Sequence, residues 1–322
     1  MRPALLVAAV AAVLVGATAP VFAQTYPAKA VRVVVPWPPG GSNDIVARIV
    51  AQKLSELNGQ QFVVDNRGGA SGLIGSENVA KSPPDGYTIM IHSATHVANP
   101  HLFKSVPYDT LKDFSAIAPL SSQIGVLAVH PSLPVKTVKD LIALAKARPG
   151  QITYASSGNG SFVHLTMAMF NVMTNTNMVH VPYKGGGPAT VALTAGETQA
   201  MLATVGSLIP FIKSGRVRPI AVSSDKRVPA YPDVPTIAEA GVPGYEFTAW
   251  IGALGPARTP KAVVDKLNAD MHKVLRMPDV AEKLSGQTLY PMFMTPEEFA
   301  RRLKSDYDKY EKVIRVSGAK IG

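Results

Sequence analysis

The chain reads as an α/β protein made of two lobes joined by a hinge. Three features of its 322 residues lead there. Strand-like and helix-like stretches alternate along most of its length. The alternation falls into two series, one starting at Val31 and one near Ile124. The closing helices have no strands of their own, so they are expected to pack back on the first series. The expected lobes are then 24–123 plus 225–322, which is discontinuous, and 124–224. A chain that crosses twice between lobes, near 124 and near 224, makes a natural hinge with a ligand cleft between the halves.

In the first series, 31–35 is a short β-branched run, and Ile45, Ile49, Leu54 and Leu57 then recur near one helical face. Residues 62–64 read as a strand. A glycine-rich turn and a short helix to about Lys81 follow, then the turn Pro83-Pro84-Asp85-Gly86 and a strand over 87–91. This order predicts a mostly parallel sheet covered by helices. In the second series strands are expected at 125–129, 152–154, 178–181, 199–203 and 217–222, with helices over 137–147, 160–173, 188–195 and 207–213. Proline and glycine crowd 229–260, which predicts strand pieces among irregular backbone. The end is helical. Val264, Leu267, Met271 and Val274 share a face, as do Phe299, Leu303, Tyr307, Tyr310 and Ile314. Thr295, Pro296, Glu297 and Glu298 form a start for the last helix, with a capping threonine, proline at the first position and acids in the first turn.

The beginning of the chain reads as a secretory signal. Arg2 supplies the positive charge, 4–17 is almost wholly apolar, and Val21-Phe22-Ala23 sets small residues before a cut after Ala23. The apolar run is shorter than the ~20 residues of a membrane-spanning helix. The expected compartment is therefore the periplasm. There is no cysteine, which removes disulfides, thiolate metal sites and a cysteine nucleophile. The net charge of +10 suits an anionic ligand. Lys and Arg are scattered instead of gathered on one face, so no nucleic-acid partner is expected.

The chemistry is expected in loops that leave the carboxyl ends of strands, where open α/β sheets bind ligands. Pro36, Trp37, Gly40, Gly41, Ser42 and Asp44 lie in the first strand-to-helix connection. Prolines stiffen its backbone, glycines permit close approach, and the free amides of a helix start favour an anion. A tight turn without a ligand would use the same residues. Ser42 or Asn43 is expected to cap the helix. Asp44 suits the helix dipole, but turned into the cleft it would repel a carboxylate. Ser93, Thr95 and His96 follow the third strand. Ser157, Gly158, Asn159, Gly160 and Ser161 open a helix of the second lobe, and Tyr183 precedes the turn Lys184-Gly185-Gly186-Gly187.

Enzymatic readings have less support. The chain has no G-x-S-x-G elbow, no G-x-G-x-x-G fingerprint and no P-loop. His92, His96 and His101 lie in a stretch that reads as loop, without the acidic pattern a zinc site would add, so neither metal nor cofactor is expected. A secreted hydrolase would have to pair Ser42 or Ser161 with His96 or His164. A periplasmic sensor for a signalling partner would have a sequence of the same kind as a transport receptor.

Several segments together resemble the Bug family of periplasmic solute-binding proteins, the receptors of tripartite tricarboxylate transporters. They are VPWPPGGSNDIVAR at 35–48, VVDNRGGASGLIGSENVAKSPPDGYT at 63–88, NPHLFKSVPYDTLKDF at 99–114, ITYASSGNGSFVHL at 152–165, VHVPYKGGGPA at 179–189 and DVPTIAEAGVPGYE at 233–246. The resemblance implies a type II periplasmic-binding-protein fold, a monomer, a small carboxylate ligand and membrane components as partners. It places Trp37, Gly40, Gly41 and Ser42 at the carboxylate, with 157–161 and Tyr183 closing from the other lobe. Thr204 is a further candidate contact, and Ala203 and Thr204 stand where many relatives carry an Asp-Asn pair, a departure that leaves the far end of the ligand open.

Overall fold

The computed structural model describes residues 26–229 and 231–320, and the expected signal and its cut after Ala23 lie outside them. The first lobe is built on β1 (Val31–Val35), α1 (Ser42–Asn58), β2 (Phe62–Asn66), α2 (Leu73–Ala80), β3 (Thr88–Ser93) and α3 (Thr95–Leu102). β1 pairs in parallel with both β2 and β3. β4 (Phe114–Val129) then carries the chain into the second lobe. That lobe holds α4 (Val138–Ala147), β5 (Thr153–Ser156), α5 (Phe162–Thr174), β6 (Val179–Pro182), α6 (Gly186–Ala195), β7 (Ala200–Thr204), α7 (Val205–Lys213) and β8 (Arg218–Val222). The return runs into β9 (Thr248–Pro256), α8 (Lys261–Leu275), α9 (Pro278–Gly286), β10 (Leu289–Pro291) and α10 (Pro296–Ser317).

The sheet order is β2-β1-β3-β9-β4-β7-β5-β6, with β8 and β10 also paired to β4. The sheet as a whole is mixed, while the parallel pairing expected from the first series holds for β1, β2 and β3. The parallel pairs lie inside each lobe, where helices connect successive strands. The antiparallel pairs involve β4 and β9, the strands on which the chain leaves the first lobe and comes back to it. β4 is one continuous strand shared by the lobes. Phe114 to Ile124 pair with β9, and Gly125 to Val129 pair with β7 and β8. Its first part escapes sequence reading because Ser115, Ser121, Ser122 and Gln123 interrupt the apolar run. The stretch around His96, expected as loop, is α3, which begins without a side-chain cap and contains Pro100.

Two cores result. One covers a face of the first lobe, where Leu54 of α1, Leu267 and Met271 of α8 and Leu284 of α9 bury Val33, Ile89 and Ile91. The other runs through both lobes, from Val34 and Met90 to Leu165, Phe170, Trp250 and Phe299. α10 closes this second core. It packs on α3 of the first lobe and on α5 of the second, so the last helix bridges the lobes instead of serving the first alone. Its start is as expected: Thr295 and Glu298 form a capping box, with Pro296 in the first turn.

One buried hydroxyl ties the two crossings together. Ser223 Oγ accepts from Gly125 N at 2.9 Å and donates to Phe247 O at 2.7 Å. The Ser223 backbone also bonds Gly125 O and Phe247 N, both at 2.8 Å. Ser223→Ala would leave the buried Gly125 N–H without an acceptor, an expected loss of about 1–3 kcal/mol. Urea unfolding measures this, and a midpoint equal to wild type would contradict it.

Candidate functional site

The first connection is held from within. Asp44 is 2 % exposed. Its carboxylate accepts from Gly40 N, Arg48 Nε and Asn66 Nδ2, each at 2.9 Å. Burial pushes its carboxyl up, but the bonds from Arg48, Gly40 and Asn66 outweigh this, and the net shift is downward. Asp44 therefore shapes the loop, which corrects its place among ligand-facing candidates. Gly40 needs its φ of +88° to present its N–H to Asp44. Asn66 Nδ2 also donates to Trp37 O at 3.1 Å. The expected cap by Ser42 or Asn43 is not made: the N-cap is Gly41, and α1 has no side-chain cap. Those amides stay available to something outside the protein.

Trp37 is half-buried and its ring stands edge-on to His92, with centroids 5.7 Å apart. Its indole N–H points at His92 Nδ1 across 3.4 Å, so it is turned into the lobe. His96 is fully buried between the rings of Tyr108 and Phe114. It reaches no ligand surface, which corrects the expectation drawn from its position in sequence. Burial pushes His96 down to about 4, and burial together with the neighbouring His96 holds His92 well below the ordinary histidine range. Among the described residues no group of three or more His, Asp or Glu is placed to hold a metal. Ser93 Oγ donates to Thr95 Oγ1 at 3.2 Å, with Ser93 nearly buried and Thr95 half-buried. Pro36 is buried under the loop, against Gly72 and Gly75.

In the second lobe β5, β6 and β7 are parallel, with Ser156 opposite Pro182 and Tyr154 opposite Ala200. The segments at 157–161, Tyr183 and Thr204 therefore leave the sheet at one edge. Ser161 caps α5 by accepting from His164 N at 3.2 Å, while the His164 imidazole accepts from Gly160 N at 3.1 Å. The serine–imidazole pairing that a hydrolase needs is not formed at Ser161. Ser157, Gly158 and Gly160 are half-buried, and exposed Asn159 lines a separate recess of about 550 Å³ behind the loop.

The lobes meet at a cleft of about 240 Å³ lined by Ser42, Gln123, Thr204, Gly206, Ser207, Gly286, Gln287, Thr288 and Leu289. Of the expected residues it brings together Ser42 and Thr204. Two helices start here from opposite sides: α1 at Ser42, and α7 directly after Thr204. Neither has a side-chain cap on its first turn. Thr204 Oγ1 donates to Ser207 Oγ, which donates to Thr204 O at 2.8 Å. No lining residue is ionisable. α7 starts without an acid, and Asp44 in the first turn of α1 is paired with Arg48, so the free amides and the α7 dipole favour an anion between the two starts. Gly206 passes so close to Thr288 that a Cβ would lie 2.4 Å from the threonine Oγ1.

Sequence reading missed Gln123, Gly206, Ser207 and 286–289. Ser207 could have been found, since Thr204 to Ser207 repeats the strand-end, helix-start pattern of the other loops. Gln123 and 286–289 carry no local signal. They reach the cleft through the long β4 and through the α9–β10 turn, which returns from far along the chain.

A family model described as "Tripartite tricarboxylate transporter family receptor" matches residues 46–319. The chain belongs to this receptor family. Its similarity to Protein BugT of Bordetella pertussis is 35 % identity over 95 % of this chain and 94 % of BugT. Two solved structures from R. palustris share the fold. Rpa4515 with adipate has a TM-score of 0.76 at 36 % identity, covering 92 % of this chain and 100 % of that one. MatC with bound malate has a TM-score of 0.72 at 30 % identity, covering 90 % and 100 %. The two-lobed solute-binding fold implied by the resemblance is thereby shown. As a tripartite tricarboxylate transporter receptor, the chain has a binding role and the periplasm as its compartment. Among the described residues no helix is long and apolar enough to cross a membrane.

Proposed function

We propose that this receptor captures a small carboxylate in the cleft between its lobes and hands it to the membrane components of a tripartite tricarboxylate transporter. The observation that carries the reading is the meeting of two uncapped helix starts, one from each lobe, at a cleft free of ionisable side chains. Amides of α1 near Gly41 and Ser42 hold the carboxylate, and no arginine clamp is needed. Gln123, Thr204 and Ser207 meet the far end with neutral hydrogen-bonding groups. The loops at 93–95, 157–161 and Tyr183 are assigned to the same opening from their place at the carboxyl ends of strands. The adipate of Rpa4515 and the malate of MatC support a carboxylate.

The lobes divide near 124 and 224, as 24–123 plus 225–322 and 124–224. The pairing change along β4 at Gly125 and the Ser223 tie support that division. The protein works as a monomer without catalysis, released by cleavage after Ala23. Ligand bridging the lobes shifts the population toward the closed form that the membrane partner reads.

A calorimetric and thermal-shift panel of mono-, di- and tricarboxylates and amino acids, with adipate and malate included, tests the reading. At one hundred times its Kd a ligand stabilises by about 2.7 kcal/mol, which raises Tm by several degrees. A panel in which nothing binds would overturn it.

A further inference from the structure

The loop at 157–161 is held from behind by two histidines that make no part of the cleft. His164 on α5 and His180 on β6 stack with centroids 3.9 Å apart and planes 4° from parallel. Tyr154 on β5 stacks on His180 at 5.1 Å. Each imidazole bonds a different point of the loop. His164 Nδ1 accepts from Gly160 N at 3.1 Å. His180 Nε2 lies 2.5 Å from the hydroxyl of Ser156, a fully buried residue. That hydroxyl also accepts from Gly158 N at 3.1 Å. A hydroxyl has one proton and two acceptors lie within its reach, Gly158 O at 3.2 Å and His180 Nε2 at 2.5 Å; we assign the proton to the shorter contact, to His180. Both rings are then acceptors: His164 carries its proton on Nε2 and His180 on Nδ1.

We propose that the stacked His164–His180 pair positions the second-lobe ligand loop, with the two neutral imidazoles acting as acceptors that fix Gly160 directly and Gly158 through Ser156. The proposal rests on the reading that this loop faces the ligand. A protonated ring has no acceptor nitrogen, so charging either one releases its half of the loop. Burial first, and then the neighbouring His180, pushes His164 down to about 4; burial alone lowers His180. The groups facing the pair are Tyr154 of β5, the Asn171 side of α5, and Val316 and Ala319 at the end of α10. Among the described residues that line this recess none is an acid or a base other than the pair itself and Tyr154, and burial holds the pair neutral at neutral pH.

Four variants separate the acceptor from the ring. His164→Phe and His180→Phe keep an aromatic stack and remove the acceptor. His164→Asn places an amide oxygen near the Nδ1 position, and His180→Gln places one near Nε2. Amide hydrogen exchange of Gly158 and Gly160, and calorimetry with adipate, are measured on all four and on wild type. The expected result is about tenfold faster exchange and about tenfold weaker adipate binding in the Phe variants, with the Asn and Gln variants within about threefold of wild type. Unchanged exchange in the Phe variants overturns the proposal whether or not adipate binds. Faster exchange with unchanged affinity also overturns it. If wild type binds no adipate, the carboxylate reading is what fails, and exchange alone decides the loop. An acid-induced rise in Gly160 exchange in wild type that is absent in His164→Asn is the further expected signature.

Discussion

Asp44→Ala is expected to abolish carboxylate binding and to lower the unfolding free energy by about 2–4 kcal/mol. The carboxylate is 2 % exposed and bonds three groups from three parts of the chain: Gly40 in the loop, Arg48 one turn along α1, and Asn66 at the end of β2. Without it the Asn66 amide loses a buried acceptor, and the 36–41 loop loses the contact that turns Gly40 inward. The amides at the start of α1 then no longer keep one arrangement, and a ligand must order them at its own cost. Asp44→Asn keeps one acceptor but sets an amide against donors, so it should recover little. The pH dependence follows from the direction of the shift. The folded carboxyl titrates below its ordinary value, so its stabilisation is complete above the ordinary range near ~4 and is lost as pH falls through the folded value. Calorimetry and urea unfolding check both effects, and wild-type affinity in Asp44→Ala would refute the role given to this residue.

Asp306→Ala is expected to cost about 3–5 kcal/mol, a large part of the roughly 5–15 kcal/mol that separates folded from unfolded domains. Asp306 lies on α10 with its side chain 3 % exposed. It accepts from the buried indole Trp250 Nε1 at 3.0 Å and from Arg302 Nε at 2.7 Å. Arg302 reaches on to Thr248 O at 3.0 Å and pairs with Glu246, which Lys309 bonds at 2.8 Å. The network fastens the helix that bridges the lobes to the strand on which the chain returns. Removing its centre leaves Trp250 N–H unpaired and Arg302 short of its nearest carboxylate. Burial pushes Glu246 up, but Arg302 and Lys309 outweigh it and draw its carboxyl below the usual range. Its contribution is thus present above the ordinary glutamate pKa and is lost in acid. A loss under about 1 kcal/mol in denaturant unfolding would show that the network is not what holds α10.

The sequence shows which segments are strands and helices wherever local pattern and burial agree. β1 and α1 follow their apolar spacing, and in α4 and α10 capping residues point the same way as that spacing. It fails for β4 before Gly125. Polar Ser121, Ser122 and Gln123 are buried or half-buried there because the strand is paired on both sides where the lobes join, not because their side chains favour burial. It also fails for α3, whose histidine and asparagine suggest a loop until Tyr108, Phe114 and Ser71 enclose them.

The candidate site divides in the same way. The backbone's readiness to bind an anion could be read from the glycines and prolines between a strand and a helix, but the uncapped start at Gly41 could not, since the sequence puts the cap at Ser42 or Asn43. Nor could the direction of each side chain. Asp44 and His96 stand at sequence positions like those of ligand contacts, yet both turn inward, because Gly40, Arg48 and Asn66 draw one and aromatic rings enclose the other. By itself the sequence determined a two-lobed α/β chain with anion-ready loops at the ends of its strands. Only the tertiary structure decided that the α1 and α7 starts face each other across Gln123 and Thr288. That closeness depends on a long shared strand and on a turn nearly 250 residues from Ser42, which periodicity within a short window cannot register.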